Sequence, residues 1–158
     1  MAEDIQITGI SKEEKYQSLL PQIKGLLDGE KDPIANMANL CAALKFGMDF
    51  FWVGFYLVKE EQLVLGPFQG PVACTRIHKG KGVCGTSWQK NEVIIVDDVD
   101  LFPGHIACSS LSKSEIVLPV YNSKHEIAGV FDVDSDSLAS FDKTDELYLK
   151  KILDLILF

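Results

Sequence analysis

IVLPVYNSKHEIAGVFDVD, residues 116–134, specifies the class of fold more clearly than any other segment. It contains two apolar, β-branched runs, Ile116–Tyr121 and Ile127–Asp134, which are typical of strands. The polar residues Asn122–His125 between them are too few for a crossover, so the two strands can pair only in the antiparallel sense. We therefore expect a hairpin near the end of the chain.

Similar runs upstream predict the rest of the sheet. A second hairpin is expected where Lys59–Glu61 separates two aromatic and β-branched segments. The predicted strands outside the first hairpin are Phe50–Val58, Gln62–Phe68, Ala73–His78 and Glu92–Val96. Together these segments predict about six mainly antiparallel strands.

Helix signals stand at both ends of the chain. Ser11 and Glu14 form a capping-box pattern before a leucine-rich helix, which Pro21 is expected to kink or split. The other predicted helices are one capped by Asp32 with Pro33 in its first turn and ended by Gly47, a short one at Val83–Gln89, and a final one capped by Asp142 and rich in Leu and Ile from Leu147 to Leu157. The order of elements predicts an α+β domain with helices mainly on one face of the sheet.

Length and charge exclude several classes of function. The 158 residues match one domain, 47% of them are hydrophobic, and the formal net charge is −8. Such an acidic chain is not expected to bind nucleic acid or to be held on a membrane by charge. No apolar run approaches the ~18 residues of a membrane span, and the acidic start Met1–Asp4 lacks the features of a signal peptide. We expect a cytoplasmic protein with reduced thiols.

Three of the four cysteines lie in segments that suggest chemistry. Cys41 has helical spacing to apolar neighbours and is expected to be a buried core residue. Cys74 follows a Gly- and Pro-rich bend, and Cys108 lies in the long polar loop 97–114. Cys84 lies among glycines near a helix start, where unpaired N–H groups would stabilise a thiolate.

Two other interpretations of these cysteines remain open. They could be three unrelated small residues. They could also contribute to a structural zinc site with two histidines, formed by Cys74, His78, His105 and Cys108.

Acidic and aromatic residues form a second candidate constellation. Asp132 and Asp134 are two residues apart on a strand and share a face, which Glu115 could join. They line either a pocket or a solvated strand end; in a pocket, mutual repulsion would keep one of them protonated. Trp52 and Tyr56 share a face of the first strand, as core residues or as a wall for a ligand that is part cationic and part apolar.

Seven short motifs resemble one family. They are DPIAN (32–36), FWVGFY (51–56), GPFQG (66–70), GVCG (82–85), FPGHIAC (102–108), SEIVLP (114–119) and DVDS (132–135). The chain resembles the free methionine-(R)-sulfoxide reductases, which are stand-alone GAF-domain enzymes, over about residues 32–146. Its three loop cysteines fall on the cysteine positions of that family.

The resemblance implies a fold, a reaction and a set of site residues. It implies one GAF domain over residues 1–158, an active-site loop covering the face opposite the helices, and thiol-dependent reduction of free L-methionine (R)-sulfoxide. Cys108 is similar to the attacking cysteine, Cys74 to the resolving one, and Cys84 to a third whose role is open. The implied substrate-binding residues are Trp52, Tyr56, Glu115, Asp132 and Asp134.

The same resemblance implies the partners. Thioredoxin would regenerate the enzyme, which would be a cytoplasmic homodimer without cofactor or metal. The main alternative is a GAF module that binds a small metabolite and signals without catalysis.

Overall fold

The computed structural model describes residues 4–106, 108–156 and 158. Its four helices are α1 (Lys12–Leu27), α2 (Pro33–Met48), α3 (Gly82–Lys90) and α4 (Lys143–Leu153), with one 3₁₀ turn at Val99–Leu101. Its strands are β1 (Trp52–Lys59), β2 (Gln62–Gln69), β3 (Arg76–His78), β4 (Ile94–Val96), β5 (Ser114–Tyr121) and β6 (Ile127–Ser135). Among the described helices, none is both long enough and apolar enough to cross a bilayer.

The strands form one six-stranded sheet in the order β3-β2-β1-β6-β5-β4, and each pair of neighbours is antiparallel. The predicted α+β class and both hairpins are confirmed. β1 and β6 lie at the centre, so residues on these two strands are surrounded by sheet on both sides. The DVDS motif is on β6 and the FWVGFY motif runs into β1.

Helices α1, α2 and α4 pack on one face of the sheet. Val53 and Phe55 of β1, with Ile116 and Leu118 of β5, point into this helix-side core. Their neighbours Trp52, Tyr56 and Val117 belong to a separate cluster, because successive strand residues point to opposite faces. Helix α3 belongs to that second cluster, so it lies on the face opposite the other three helices. The prediction of helices mainly on one face is confirmed.

Helix caps follow the predicted chemistry. Ser11 and Glu14 form the capping box of α1, and Asp32 accepts from the backbone N–H groups of Ile34 and Ala35 at the start of α2. Asp142 caps α4, which begins at Lys143 and ends at Leu153, earlier than the predicted end at Leu157; Leu157 itself lies outside the described residues.

Two element boundaries were wrong, and Pro21 does not split α1. Buried side chains on both sides of Pro21 (Leu19, Ile23 and Leu27 among them) hold one continuous helix against the core. Helix α2 ends one residue beyond Gly47, and Asp49 takes the left-handed conformation, which Asp tolerates.

The strand predicted at Ala73–His78 is also shorter than expected. It contains only Arg76–His78. The carbonyl groups of Pro71 and Cys74 accept hydrogen bonds from side chains of β1, which holds this segment over the sheet instead of in its ladder.

Candidate active site

The register of the sheet brings the acidic residues together. Asp134 of β6 lies directly opposite Trp52 of β1 on one side and opposite Glu115 of β5 on the other. Asp132 lies opposite Gly54 of β1 in the next row on the same face. Because directly opposed residues in an antiparallel sheet share a face, three carboxyl groups and an indole line one wall. The pocket, and not the solvated strand end, is the environment of these acids.

Burial perturbs all three carboxyl groups. Glu115 and Asp132 are each only 6% exposed. Loss of water, followed by repulsion from neighbouring carboxylates, holds the pKa of both well above the ordinary range. Burial also raises the pKa of Asp134 to about 6, while a hydrogen bond from the Ser112 hydroxyl opposes the rise. The pocket can therefore hold a carboxylic acid in its protonated form near neutral pH.

One buried oxygen of Asp132, its Oδ1 atom, receives no hydrogen bond from any side chain or backbone group of the described residues. A buried acceptor without a donor is costly, so this atom favours a ligand that brings a donor or a positive charge.

Cys84 enters the same pocket from the start of α3. Its Sγ lies 3.9 Å from Oε1 of Glu115. Burial first, and then the charges of Asp132 and Glu115, hold the pKa of this thiol well above its usual value. The expectation that the helix N-terminus stabilises a Cys84 thiolate is therefore wrong, because desolvation and the adjacent acids outweigh the helix dipole.

The aromatic wall also holds the backbone that carries Cys74. The Trp52 ring is stacked against Tyr56 and Phe68, with centroids 6.0 and 5.4 Å apart. Its Nε1 donates to the carbonyl of Pro71, and the Tyr56 hydroxyl donates to the carbonyl of Cys74. The hydrogen bonds from Trp52 and Tyr56 thus fix the aromatic wall beneath the Pro71–Cys74 segment.

Gly54 makes the aromatic wall possible. A Cβ atom at this position would lie 2.4 Å from Cβ of Phe68 and 2.5 Å from the Trp52 ring. The indole therefore lies flat over a position that only glycine fits.

Cys74 and Cys108 are joined by a disulfide, with their Cα atoms 5.3 Å apart. The loop carrying Cys108 crosses the pocket, where the N–H of Gly82 donates to the carbonyl of Gly104. Since the two sulfur atoms are bonded to each other, neither is available for the zinc site considered from the sequence. His78 instead lies at the sheet edge beside Gln62.

The structure brings most of the predicted site residues into one pocket. Its lining includes Trp52, Tyr56, Cys84, Cys108, Glu115, Asp132 and Asp134. Cys74 is bonded to Cys108 of this lining. Cys41 is fully buried in the helix-side core, as predicted, and burial raises its pKa to about 12.

Sequence reasoning did not single out Ser112 or Gly54. Ser112 is buried and donates to Asp134, but it is one of several serines in a polar loop and carries no distinguishing signal. Gly54 had a signal, since a glycine between aromatic residues in a strand suggests close approach of another group.

Known proteins provide an independent comparison. No family model matches the chain. The chain is 66% identical over 157 residues to "GAF domain-containing protein A" of Dictyostelium discoideum, with 99% of each chain covered. It is 44% identical over 145 residues to the free methionine-R-sulfoxide reductase of Escherichia coli (strain K12), which covers 91% of this chain and 87% of that one.

A solved structure gives the same result. The chain is similar to the free methionine-R-sulfoxide reductase of Neisseria meningitidis, a structure determined in complex with its substrate, with a TM-score of 0.94 and 48% identity. The match covers 98% of this chain and 93% of that one.

The fold is that of a GAF domain, and the protein is an oxidoreductase of this fold. The predicted GAF-like architecture is confirmed. The chain belongs to the free methionine-R-sulfoxide reductase family.

Proposed function

We propose that this protein reduces free L-methionine (R)-sulfoxide to L-methionine. The observation that carries the proposal is a pocket in which buried carboxyl groups with raised pKa values face a cysteine pair. A sulfoxide sulfur accepts a nucleophile, but its oxygen leaves only when protonated, so the reaction needs both a thiol and a carboxylic acid.

In the proposed cycle the Cys108 thiolate attacks the sulfoxide sulfur. A protonated carboxyl group of the pocket gives its proton to the oxygen, which ends on Cys108 as a sulfenic acid while methionine is released. The Cys74 thiol then displaces this oxygen as water and forms the disulfide. Two electrons pass from the two thiols to the sulfoxide. The bonded pair Cys74–Cys108 supports this second step.

The pocket is proposed to prefer the free amino acid to a peptide because of the charge of the ligand and the space available to it. The α-ammonium group would pair with the acids and supply the donor that Oδ1 of Asp132 lacks. Trp52 and Tyr56 would cover the apolar part of the side chain. A peptide bond would remove the positive charge and extend the ligand into the walls.

Cys84 is proposed as an auxiliary residue. Its buried thiol has a pKa well above the usual value, so its thiolate is disfavoured next to the carboxylates. Cys108, by contrast, is partly exposed.

The reductant is proposed to be thioredoxin. A disulfide is reduced by exchange with an incoming dithiol, and both Cys74 and Cys108 are partly exposed. We further propose a single GAF domain over residues 1–158 that acts as a cytoplasmic homodimer without cofactor, as the resemblance implies.

Thioredoxin-coupled oxidation of NADPH with the two free sulfoxide epimers tests the proposal. Turnover is expected with the (R) epimer and not with the (S) epimer or with a peptide containing the sulfoxide. Comparable rates on the peptide would contradict the closed pocket. Binding of the sulfoxide without any loss of thiols would favour the non-catalytic sensing function instead.

A further inference from the structure

Three potential metal-binding atoms meet in the pocket. The sulfur of Cys84 and one carboxylate oxygen each from Glu115 and Asp132 all lie within 4.8 Å of one another, and all three residues are buried. Ligand atoms around a tetrahedral zinc ion are roughly 3.4–3.6 Å apart, given its usual bond lengths. The separation of 3.9 Å between Sγ of Cys84 and Oε1 of Glu115 is close to that value.

A second observation favours a cation at this cluster. Oδ1 of Asp132 has no hydrogen-bond donor among the described residues, although Asp132 is only 6% exposed and lines the pocket. A substrate ammonium group would satisfy this oxygen. An ammonium group gains little from the Cys84 thiol, which donates to Glu115, whereas a thiolate with two carboxylates is a ligand set for a borderline-soft metal ion.

We propose that Cys84, Glu115 and Asp132 bind one Zn²⁺ ion in the position that the substrate's ammonium group occupies, so that zinc competes with substrate. Binding releases the thiol proton, and any proton on the carboxyl groups, to solvent. Three protein ligands leave a fourth position open to the pocket for water. The competition rests on the proposed function, but the metal site does not.

Zinc binding is measured on the oxidised protein, in which Cys74 and Cys108 are bonded and cannot be ligands. Equilibrium dialysis should find about one Zn²⁺ per chain, from the three ligands of one site. Co²⁺ in place of Zn²⁺ should give the near-ultraviolet charge-transfer absorption of a thiolate ligand. A spectrum of wild-type protein without this absorption would overturn the proposal, whatever the behaviour of any variant.

Two substitutions and one control identify the ligands. Cys84→Ser should abolish the thiolate absorption, and both Cys84→Ser and Asp132→Asn should weaken zinc binding by at least tenfold, since even residues that only orient ligands contribute about 10–100-fold. Cys41→Ser removes the other free thiol, on the opposite face of the sheet, and should change neither readout. Unchanged zinc affinity in Cys84→Ser would overturn the proposal.

Competition is tested with two free amino acids that chelate zinc equally through their backbone groups. Methionine (R)-sulfoxide should reduce binding of zinc to the protein more than alanine does. If the two amino acids lowered zinc binding equally, in protein that reduces the sulfoxide, the proposal that zinc and the substrate ammonium group share one position would be overturned. Protein that binds zinc through Cys84 but does not reduce the sulfoxide would instead contradict the proposed function and support the metal site.

Discussion

The Tyr56 hydroxyl donates a hydrogen bond to the backbone carbonyl of Cys74 across 3.0 Å. Tyr56 is 2% exposed and is stacked against Trp52, so its position is fixed from the sheet side. The residue that forms part of the pocket wall therefore also positions the backbone of the cysteine proposed to resolve the sulfenic acid.

Tyr56→Phe should slow disulfide formation several-fold while leaving reduction of the sulfoxide in a single turnover nearly unchanged. The ring and its packing remain, but the Cys74 carbonyl loses a hydrogen bond worth about 1 kcal/mol. Rapid-mixing measurements of methionine release and of thiol loss separate the two steps. Tyr121→Phe is the matched control, because Tyr121 bonds Asn91 at the protein surface. Equal effects on both steps would contradict the positioning role of Tyr56.

Substitution of single cysteines should separate attack from resolution. Cys108→Ser should release no methionine even in a single turnover, because the attacking thiol is gone. Cys74→Ser should release about one methionine per chain and then stop as the sulfenic acid. Cys41→Ser, buried in the helix-side core, should keep full turnover. Quenched-flow measurement of methionine per chain checks all three.

One outcome would reassign the nucleophile. A burst of methionine that survives in Cys108→Ser and disappears in Cys84→Ser would move the attack to Cys84. The proposed reduction of the sulfoxide by a cysteine would not be affected.

Gly54→Ala should disrupt the aromatic wall. The added methyl group would meet Cβ of Phe68 and the Trp52 ring at 2.4–2.5 Å, which forces these groups to move. We expect a loss of about 1–3 kcal/mol in the free energy of unfolding and a raised KM for the sulfoxide. Gly25→Ala is the control, since nothing lies within 4 Å of a methyl group there and alanine favours the helix. Urea unfolding and steady-state kinetics measure both effects, and an unchanged KM in Gly54→Ala would contradict this role of glycine.

The stability of the protein should fall as pH rises through the titration of Asp134. Its pKa is raised to about 6 in the folded protein from 3.8 for the free side chain, so the folded state binds this proton more tightly than the unfolded state. The free energy of unfolding should therefore decrease between about pH 4 and pH 7, by on the order of 1–3 kcal/mol for this group.

Asp134→Asn should remove part of that pH dependence, and the rest should remain because Glu115 and Asp132 have pKa values raised in the same direction. Urea unfolding at a series of pH values measures the slope. Asp136→Asn, which changes an exposed carboxylate two residues away, should leave the slope unaltered. A slope as steep in Asp134→Asn as in the wild type would contradict the prediction.

The elements were predictable where short-range pattern and packing agree. Alternation along β1 and β6 placed Trp52 with Tyr56 and Asp132 with Asp134 on common faces, which the structure confirms. Asp32 and Asp142 predict helix starts because a capping side chain accepts hydrogen bonds from backbone N–H groups only two or three residues away.

The remaining features depend on partners distant in sequence. No local pattern shows that β6 pairs with β1, yet this pairing alone puts Trp52 opposite Asp134. The thiol of Cys84 was expected to be acidic from its place on a helix, and only the tertiary structure reveals the carboxyl groups that reverse the effect. The shortened β3 has the same origin, since the hydrogen bonds that hold Pro71 and Cys74 come from β1.

The bond between Cys74 and Cys108 closes a ring of backbone, because the two residues are 34 apart in sequence. That ring contains α3, which packs on the pocket side of the sheet, and the two edge strands β3 and β4. Closing a ring of this length removes chain entropy worth about 4 kcal/mol from the unfolded state. Each proposed turnover would thus alternate this ring between a constrained form and one that opens more readily. Proteolysis and hydrogen exchange in α3 should therefore be faster in the reduced protein. The ratio of thiol to disulfide in its surroundings would then set the lifetime of this segment.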